Sequence, residues 1–419
     1  MYRKLIIAIL FASFGLRLAA GFWWQNRLPQ DTKFGFPDSE SYWMLAETIA
    51  NGQPYQTNPD RRAFRTPGYP LLLAGLFWSA DDEPPVMWAR ILNALLGTLA
   101  VGGVILLARL LFNEKTALVA GVAAALYPGA ISTSTFVLSE APFCPFMLLH
   151  LVLWTLAWKA TERKRQAVLG AAGGVLGGIA ALMRPSWLLF VPFAIAVGLA
   201  SRRDTGRHVW VGVWVVAGMV SAMMPWWIRN WHVAGRFVPT TLQVGESLYD
   251  GLNPQATGAS DMAFVDRFRE QLRREDAHRG ASASDGANFE QRLDQRMRDS
   301  ALAWAKANPG RVLQLAAVKF RRIWNVWPNE SSLRHPLFCA VVAVGFLPIL
   351  IFGVCGVWKY AGRGWPYVLC FLPAVYFTCL HMVFVGSIRY RQPAMLPLIV
   401  LGAGFVGQLI WKWAEPTKF

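Results

Sequence analysis

Long runs of apolar residues recur along most of this chain and constrain its fold more than any other feature. Ten runs lie at 5–24, 86–112, 116–137, 141–158, 166–183, 186–201, 208–228, 337–358, 365–385 and 391–411. A helix needs about 20 apolar residues to cross a bilayer, and unpaired backbone groups cannot face lipid. Hydrophobic residues make up 54% of the 419 residues, more than is typical of a soluble domain. The sequence therefore predicts an all-α polytopic membrane protein with about ten transmembrane helices.

The basic residues predict how these spans are oriented. The net charge of +16 could indicate nucleic-acid binding, but Lys and Arg gather near 3–4, 109–115, 159–165, 202–207, 359–363 and 412–418. With ten spans these segments all lie on one side, which the positive-inside rule makes cytoplasmic. We therefore expect membrane lipids and no nucleic acid as partners. The first run contains Arg17 and has no small-residue cleavage site, so we expect a retained anchor.

Two long segments, 25–85 and 229–336, lie outside the predicted spans on the outer side. They divide the chain into an N-terminal transmembrane module (1–228, including the first outer loop 25–85 with the catalytic motif), an extracytoplasmic helical loop (229–336) and C-terminal transmembrane helices (337–419). The expected localisation is the cell inner (plasma) membrane, with multiple spans and an active site that faces the periplasm or exterior. The sequence does not indicate a role for residues 251–336.

The first outer loop is expected to hold two short interfacial helices. In "PDSESYWMLAETIANG", Asp38 is placed to cap a helix that Gly52 ends, and Tyr42 and Ile49 lie at helical spacing on one face. The apolar run 69–78 is too short to cross a bilayer, which predicts a second helix in the membrane interface.

Ionisable residues gather at the predicted outer ends of the spans, although such groups are costly at membrane depth. Carboxylates can act as general bases or bind a metal, and arginines bind phosphate by charge-assisted hydrogen bonds. We therefore predict an outer-face site in which carboxylates such as Asp38, Glu40 and Glu140 meet arginines, as would suit a lipid-linked phosphate substrate and a nucleophilic acceptor. The candidate substrate-binding residues are Glu40, Tyr42, Arg61, Arg65, Tyr69, Arg184, Arg229, His381, Arg389, Tyr390 and Arg391.

Six segments in order carry a resemblance to a known family: "PDSESYWMLAETIANGQPY", "RTPGYPLLLAGLFW", "LSEAPF", "LMRPSWLLFVP", "PWWIRNWHVAGRFVP" and "HMVFVGSIRYRQPAMLP". With these motifs the chain resembles the integral-membrane GT-C glycosyltransferases, near the protein O-mannosyltransferases and the lipid A aminoarabinose transferases. The resemblance covers most of 1–250 and 337–405, whereas 251–336 matches loosely. The mannosyltransferases carry adjacent Asp and Glu in the first loop; here Ser39 separates Asp38 from Glu40, which favours the broader bacterial relatives.

The resemblance implies transfer of a sugar from a polyprenyl-phosphate carrier to a lipid, glycan or protein acceptor on the outer face, with inversion at the glycosidic carbon. Asp38 would be the general base. Glu140 could orient the acceptor or a metal, or could pair with a loop arginine. Arg389 and Arg391 are the first candidates to stabilise the departing phosphate, ahead of Arg65, Arg184 and Arg229. His381, Tyr42 and Tyr69 are expected to be packed side chains rather than catalytic groups.

Two other functions stay open at this point. A transporter or flippase of lipid-linked sugars would need polar residues through the membrane midplane, whereas the polar residues here crowd the outer ends. A non-catalytic role in envelope assembly is the second alternative. No cofactor is indicated with certainty, and a divalent metal is possible although there is no His or Cys cluster. The donor sugar, the acceptor and the oligomeric state are not encoded in any recognisable motif.

Overall fold

The computed structural model describes residues 1–29, 32–278, 286–329 and 334–411, with main chain alone at 286–288 and 410–411. Lys412 and Lys418, which the orientation argument places in the last cytoplasmic segment, lie outside the described residues. So do 30–31 of the predicted first outer loop and 279–285 and 330–333 of the predicted second one.

Helices account for most of the described chain. They are α1 Tyr2–Gln25, α2 Pro37–Ala50, α3 Gly68–Phe77, α4 Val86–Leu111, α5 Glu114–Leu126, α6 Pro128–Thr135, α7 Glu140–Lys159, α8 Arg163–Met183, α9 Phe190–Ala200, α10 Thr205–Ala234, α11 Val244–Gly251, α12 Phe264–His278, α13 Gly286–Ala307, α14 Pro309–Ile323, α15 Pro336–Tyr360, α16 Trp365–Val383 and α17 Ile388–Trp411. Short 3-10 turns lie at Pro185–Trp187 and Ala361–Arg363.

Eight of these helices are long and apolar enough to cross a bilayer: α1, α4, α7, α8, α10, α15, α16 and α17. Each coincides with a predicted span, which confirms the polytopic helical fold. The predicted span 116–137 is the pair α5 and α6, bent by 51°. The bend falls at Pro128, because a proline disfavours the helical conformation of the residue before it, and Tyr127 is extended with ψ 113°. The predicted span 186–201 is shorter than the other spans, at Pro185–Ala200.

The N-terminal and C-terminal spans pack together in one bundle. Helix α17 contacts α4, α5 and α7 as well as α15 and α16. The Tyr367 hydroxyl on α16 donates a hydrogen bond of 2.9 Å to the carbonyl of Leu111 at the end of α4. Helices α8 and α10 approach closely: a Cβ on Gly174 would lie 2.0 Å from the carbonyl oxygen of Val215, so only glycine fits there.

Both short helices expected in the first outer loop are present as α2 and α3, and the positive φ of Gly52 (+65°) follows the end of α2. The predicted capping role of Asp38 is wrong. Pro37 takes the first helical position, which its fixed φ favours, so Phe36 is the N-cap and Asp38 lies in the first turn. Tyr42 is buried on the inner face of the helix, as its spacing predicts.

Helices account for most of the described residues of the segment 229–336, as the sequence predicts. Helix α10 continues to Ala234, beyond the predicted end of the span, and α11 to α14 follow it. Helices α11 and α13 touch at Gly245, where a Cβ would lie 1.9 Å from the carbonyl oxygen of Asp294. The break between α13 and α14 falls at Asn308, because Pro309 cannot continue the preceding hydrogen-bond ladder.

Candidate active site

Two carboxylates that are far apart in sequence share one arginine in the structure. Glu140 Oε1 accepts a hydrogen bond of 2.5 Å from Arg389 Nε, and Arg389 Nη2 lies 3.5 Å from Asp38 Oδ2. Arg65 Nη2 donates to Asp38 Oδ1 at 2.7 Å, and Arg184 Nη1 lies 2.8 Å from Glu140 Oε1. We call these five residues (Asp38, Arg65, Glu140, Arg184 and Arg389) the Asp38 cluster.

Helix ends bring the cluster together at one end of the bundle. Asp38 lies in the first turn of α2, shortly after α1 ends, and Glu140 is the first residue of α7. Arg184 follows the last residue of α8, and Arg389 lies in the first turn of α17. Helices α7 and α17 therefore begin where α8 ends, and the side chains at these ends meet.

Exposure rises from one side of the cluster to the other. The exposed fraction of the side chain is 1% for Glu140, 9% for Arg184, 28% for Arg389 and 43% for Asp38. Three guanidinium groups against two carboxylates leave one formal positive charge in the cluster. An anion that approaches from the exposed side meets Asp38 and Arg389 first, and it meets a site with an excess of positive charge.

Asp38 is ionised at neutral pH in this arrangement. Burial alone would raise the pKa of Asp38, but the positive charges of Arg65 and Arg389 outweigh burial and hold the pKa below its usual value. A carboxylate in this state is a weak base, because the two guanidiniums stabilise its charged form.

Glu140 has a different environment. Its Oε1 serves two arginines, and its Oε2 has no hydrogen-bond partner among the described residues. The side chain is enclosed, so it cannot reach an acceptor without a rearrangement of Arg184 and Arg389. Of the alternatives from the sequence, pairing with arginines is the one that the geometry favours.

Aromatic rings enclose the arginine side of the cluster. The rings of His381 and Tyr390 stack with centroids 4.1 Å apart and planes 5° apart. The guanidinium carbons of Arg184 and Arg389 lie 5.4 Å and 5.5 Å from the Tyr390 ring centroid. His381 Nδ1 is 3.1 Å from the carbonyl oxygen of Val385, so His381 is a packed residue bonded to the main chain.

Two of the three candidate tyrosines, Tyr42 and Tyr69, pack against each other next to Arg65 of the cluster. The rings of Tyr42 and Tyr69 meet edge to face at 5.3 Å, and the Tyr69 hydroxyl is bonded to Asn93. Arg65 extends over the Tyr42 ring at 5.1 Å. Both tyrosines are buried, so they are packed side chains and do not present a surface to a sugar.

Other candidate residues have partners outside the cluster. Arg61 forms a buried ion pair with Glu246. Arg229 Nη2 donates to the carbonyl of Tyr55 at 2.7 Å. Arg391 Nη1 donates to the carbonyls of Ile323 and Asn325 at 2.8 Å and 2.5 Å, and its guanidinium lies 3.4 Å from the Phe346 ring centroid. Glu40 is exposed on the outer face of α2.

Sequence reasoning missed two partners of Arg65. Its Nε donates to Ser41 Oγ at 3.1 Å and its Nη1 to Gln243 Oε1 at 3.2 Å. Ser41 lies three residues after Asp38 on the same helix, and this spacing could have indicated it. Gln243 carries no such signal, because it comes from a loop 178 residues away from Arg65.

The described residues contain no group of three or more His, Cys, Asp or Glu side chains that could bind a metal ion. In the cluster, the carboxylates of Asp38 and Glu140 already form ion pairs with guanidinium groups. A divalent cation would have to displace Arg389 to bridge them, so the two carboxylates as placed do not form a metal site.

Comparison with known proteins agrees with this picture. Residues 72–228 match the family model of dolichyl-phosphate-mannose-protein mannosyltransferase. No curated protein sequence matches the chain.

Among solved structures, the apo oligosaccharyltransferase of Archaeoglobus fulgidus is similar, with a TM-score of 0.62 and 15% identity over 99% of this chain and 51% of that one. The oligosaccharyltransferase AglB of the same organism, in complex with an inhibitory peptide and a dolichol-phosphate, gives a TM-score of 0.56 and 18% identity over 97% and 50%. ArnT from Cupriavidus metallidurans bound to undecaprenyl phosphate gives a TM-score of 0.44 and 17% identity over 98% and 78%, a score too low to support a conclusion.

The chain thus spans about half the length of the two oligosaccharyltransferase chains. At these identities the likeness shows the fold alone. Residues 72–228 are thus similar to the mannosyltransferase family, and the fold of the chain is similar to that of the integral-membrane oligosaccharyltransferases.

Proposed function

We propose that this protein is a glycosyltransferase that moves a sugar from a polyprenyl-phosphate carrier to an acceptor on the outer face of the membrane. The observation that carries the proposal is the Asp38 cluster, where Arg389 links an exposed carboxylate to a buried one. The family match supports a lipid-phosphate donor, as does the dolichol-phosphate bound to the similar AglB structure.

The departing group would be polyprenyl phosphate, which leaves as an anion and needs cationic stabilisation rather than an acid. Arg389 and Arg65 are the partly accessible arginines of the cluster, with 28% and 14% of their side chains exposed. Guanidinium groups bind phosphate oxygens in pairs of parallel hydrogen bonds. The excess positive charge of the cluster suits one additional anion.

Asp38 would be the general base. A donor phosphate that engages Arg389 and Arg65 adds negative charge beside Asp38 and competes for its partners, so the basicity of the carboxylate rises when the donor is bound. The acceptor hydroxyl gives its proton to Asp38 while its oxygen forms a bond to the anomeric carbon. The bond from that carbon to the phosphate oxygen breaks on the opposite face, so the configuration inverts.

Glu140 would act as a positioning residue in this reaction. It fixes Arg389 and Arg184 from the enclosed side at 2.5 Å and 2.8 Å. Because the Glu140 carboxylate is enclosed between the two arginines, Arg389 would keep one orientation. The exposed edge of Arg389 would meanwhile exchange Asp38 for phosphate.

The basic segments at the opposite ends of the helices support a reaction on the periplasmic or exterior side of an inner (plasma) membrane, by the positive-inside rule. A lipid, a glycan or a protein with a free hydroxyl could be the acceptor.

The test uses the purified protein in vesicles with a panel of polyprenyl-phosphate sugars, and the readout is free carrier phosphate. Asp38→Asn should lower transfer at least about 100-fold, as expected for loss of a general base, yet still bind the carrier. Asp82→Asn is the matched control, because Asp82 is an exposed carboxylate of the same loop, and it should retain full transfer. Undiminished transfer by Asp38→Asn would refute its role. Lipid movement without any sugar transfer would favour the flippase alternative.

A further inference from the structure

A buried carboxylate outside the Asp38 cluster fixes the backbone of the first outer loop. Glu290 on α13 is 1% exposed. Its Oε2 accepts hydrogen bonds from the backbone N–H of Arg62 at 2.8 Å and of Ala63 at 3.0 Å. Its Oε1 has no hydrogen-bond partner among the described residues. Burial of a carboxylate is unfavourable unless the carboxylate is hydrogen-bonded. The two main-chain N–H groups therefore stabilise Glu290 in its buried position.

The same strip of the first loop is fixed at several further points. Leu242 N donates to the carbonyl of Ala63 at 2.8 Å, and Arg61 is ion-paired with Glu246 on α11. Two residues beyond Ala63, Arg65 reaches Asp38. The backbone at Arg62 and Ala63 is therefore bonded to α13 and to the segment before α11, two residues before Arg65.

A buried lysine does the same for the segment that carries Arg389. Lys319 on α14 is fully buried, and its Nζ donates to the carbonyl of Gly251 at 2.8 Å and of Val383 at 2.7 Å. Gly386 completes the contact: its N–H donates to the carbonyl of Gly258 at 3.0 Å, and a Cβ there would lie 2.6 Å from the carbonyl oxygen of Lys319. Arg389 follows three residues later.

We propose that helices α11 to α14 form a frame that positions Arg65 and Arg389 on either side of Asp38, with Glu290 and Lys319 as its positioning residues. The kinetic part of this inference rests on the function proposed above. The frame gives the outer helical segment a role: it sets the geometry of the cluster from outside, and Gln243, directly before α11, accepts a hydrogen bond from Arg65.

The first test measures backbone hydrogen exchange in the full-length protein and needs no activity. Glu290→Ala leaves the two buried N–H groups without their acceptor, so exchange of the peptide covering 61–66 should rise about tenfold. Glu290→Gln keeps an acceptor oxygen and should restore most of the protection. Glu270→Ala is the control, since Glu270 is an exposed carboxylate of α12 paired with Arg274 one turn away. Equal exchange in Glu290→Ala and Glu270→Ala would overturn the proposal.

The second test asks whether Glu290 acts through Arg65. Glu290→Ala should lower kcat about tenfold in the native background, but less than about twofold when Arg65→Lys has already loosened the contact with Asp38. The same fold loss in both backgrounds would mean that Glu290 does not act through Arg65, and the positioning role would be rejected. If native protein transfers no sugar while the exchange pattern appears as expected, the proposed function fails and the frame stands.

A second pair of variants tests the positioning role of Lys319. Lys319→Met removes both donors and should increase exchange in the peptide covering 384–390, whereas Lys306→Met, an exposed lysine of α13, should leave it unchanged. Unchanged exchange in Lys319→Met would mean that Lys319 is not a positioning residue of the frame.

Discussion

Replacing Glu140 with Gln is the sharpest perturbation of the Asp38 cluster. Its side chain is 1% exposed and its Oε1 contacts Arg184 at 2.8 Å and Arg389 at 2.5 Å. The substitution conserves shape and one acceptor oxygen but removes the negative charge that both arginines face. Arg184, itself 9% exposed, then has no other carboxylate partner among the described residues within ion-pair distance.

Removal of one partner of a buried ion pair destabilises a protein by about 3–5 kcal/mol, because the other charge remains buried without compensation. We expect about 3 kcal/mol for Glu140→Gln, at the lower end, since Arg389 is 28% exposed and retains Asp38. Arg184→Gln should destabilise by about 1–2 kcal/mol, because Glu140 keeps Arg389. The double variant should be more stable than the sum of the two effects by about 2 kcal/mol, since it removes charge and counter-charge together.

The assay is equilibrium unfolding by denaturant in detergent micelles, followed by far-ultraviolet circular dichroism, for the four proteins of the cycle. A second cycle at Arg109 and Glu114, a partly exposed pair 2.6 Å apart, provides the control and should give a coupling within about 0.5 kcal/mol. If the cycle at Glu140 and Arg184 is additive, the buried pair does not stabilise the site and the positioning role of Glu140 is wrong.

The remaining predictions concern single residues. Arg389→Gln should weaken binding of a polyprenyl phosphate about tenfold or more, measured with the lipid in vesicles. Arg391→Met should leave that affinity unchanged and lower the unfolding free energy by about 1–3 kcal/mol, because Arg391 is bonded to main-chain carbonyls; weaker lipid binding in this variant would contradict the reading. Burial raises the pKa of Glu290 from 4.5 to about 7, against the opposing effect of the Arg62 and Ala63 N–H groups. The folded state therefore binds more protons, and stability should fall by about 3 kcal/mol as the pH rises from about 4.5 to 7. Unfolding of Glu290→Gln measured across that range should lack this loss, and a parallel slope in both proteins would refute it.

The sequence was sufficient to predict the helical bundle. Apolar runs of about 20 residues and the alternation of basic segments are local properties, and each predicted span coincides with helical chain. The bend at Pro128 could also have been predicted from the sequence, since the residue before a proline disfavours the helical conformation. The capping of α2 was misjudged because Asp38 and Pro37 compete for the same helix start, and proline at the first position decides it.

Which arginine joins the cluster could not be predicted from the sequence. Arg389 and Arg391 lie two residues apart on α17, and successive helical residues turn by about 100°, so the two side chains point to nearly opposite faces of the helix, about 160° apart. Only the phase of the helix sends Arg389 to Glu140 and Arg391 to the main chain of Ile323 and Asn325. The contact of Glu290 with Arg62 spans 228 residues and leaves no periodic trace in either segment.

The two carboxylates contact Arg389 at different distances and with different exposure, and this difference implies an order of events in the proposed reaction. On one side a fully enclosed Glu140 binds it at 2.5 Å, and on the other an exposed Asp38 lies 3.5 Å away. An incoming phosphate therefore displaces Asp38 more readily than Glu140, because the exposed contact is the longer one and water can replace it. In the free protein the two guanidiniums keep Asp38 a weak base, and donor binding draws them toward the phosphate. In the proposed mechanism Asp38 would thus become a stronger base only when a sugar is in place, and the acceptor hydroxyl would be deprotonated beside the carbon that it attacks.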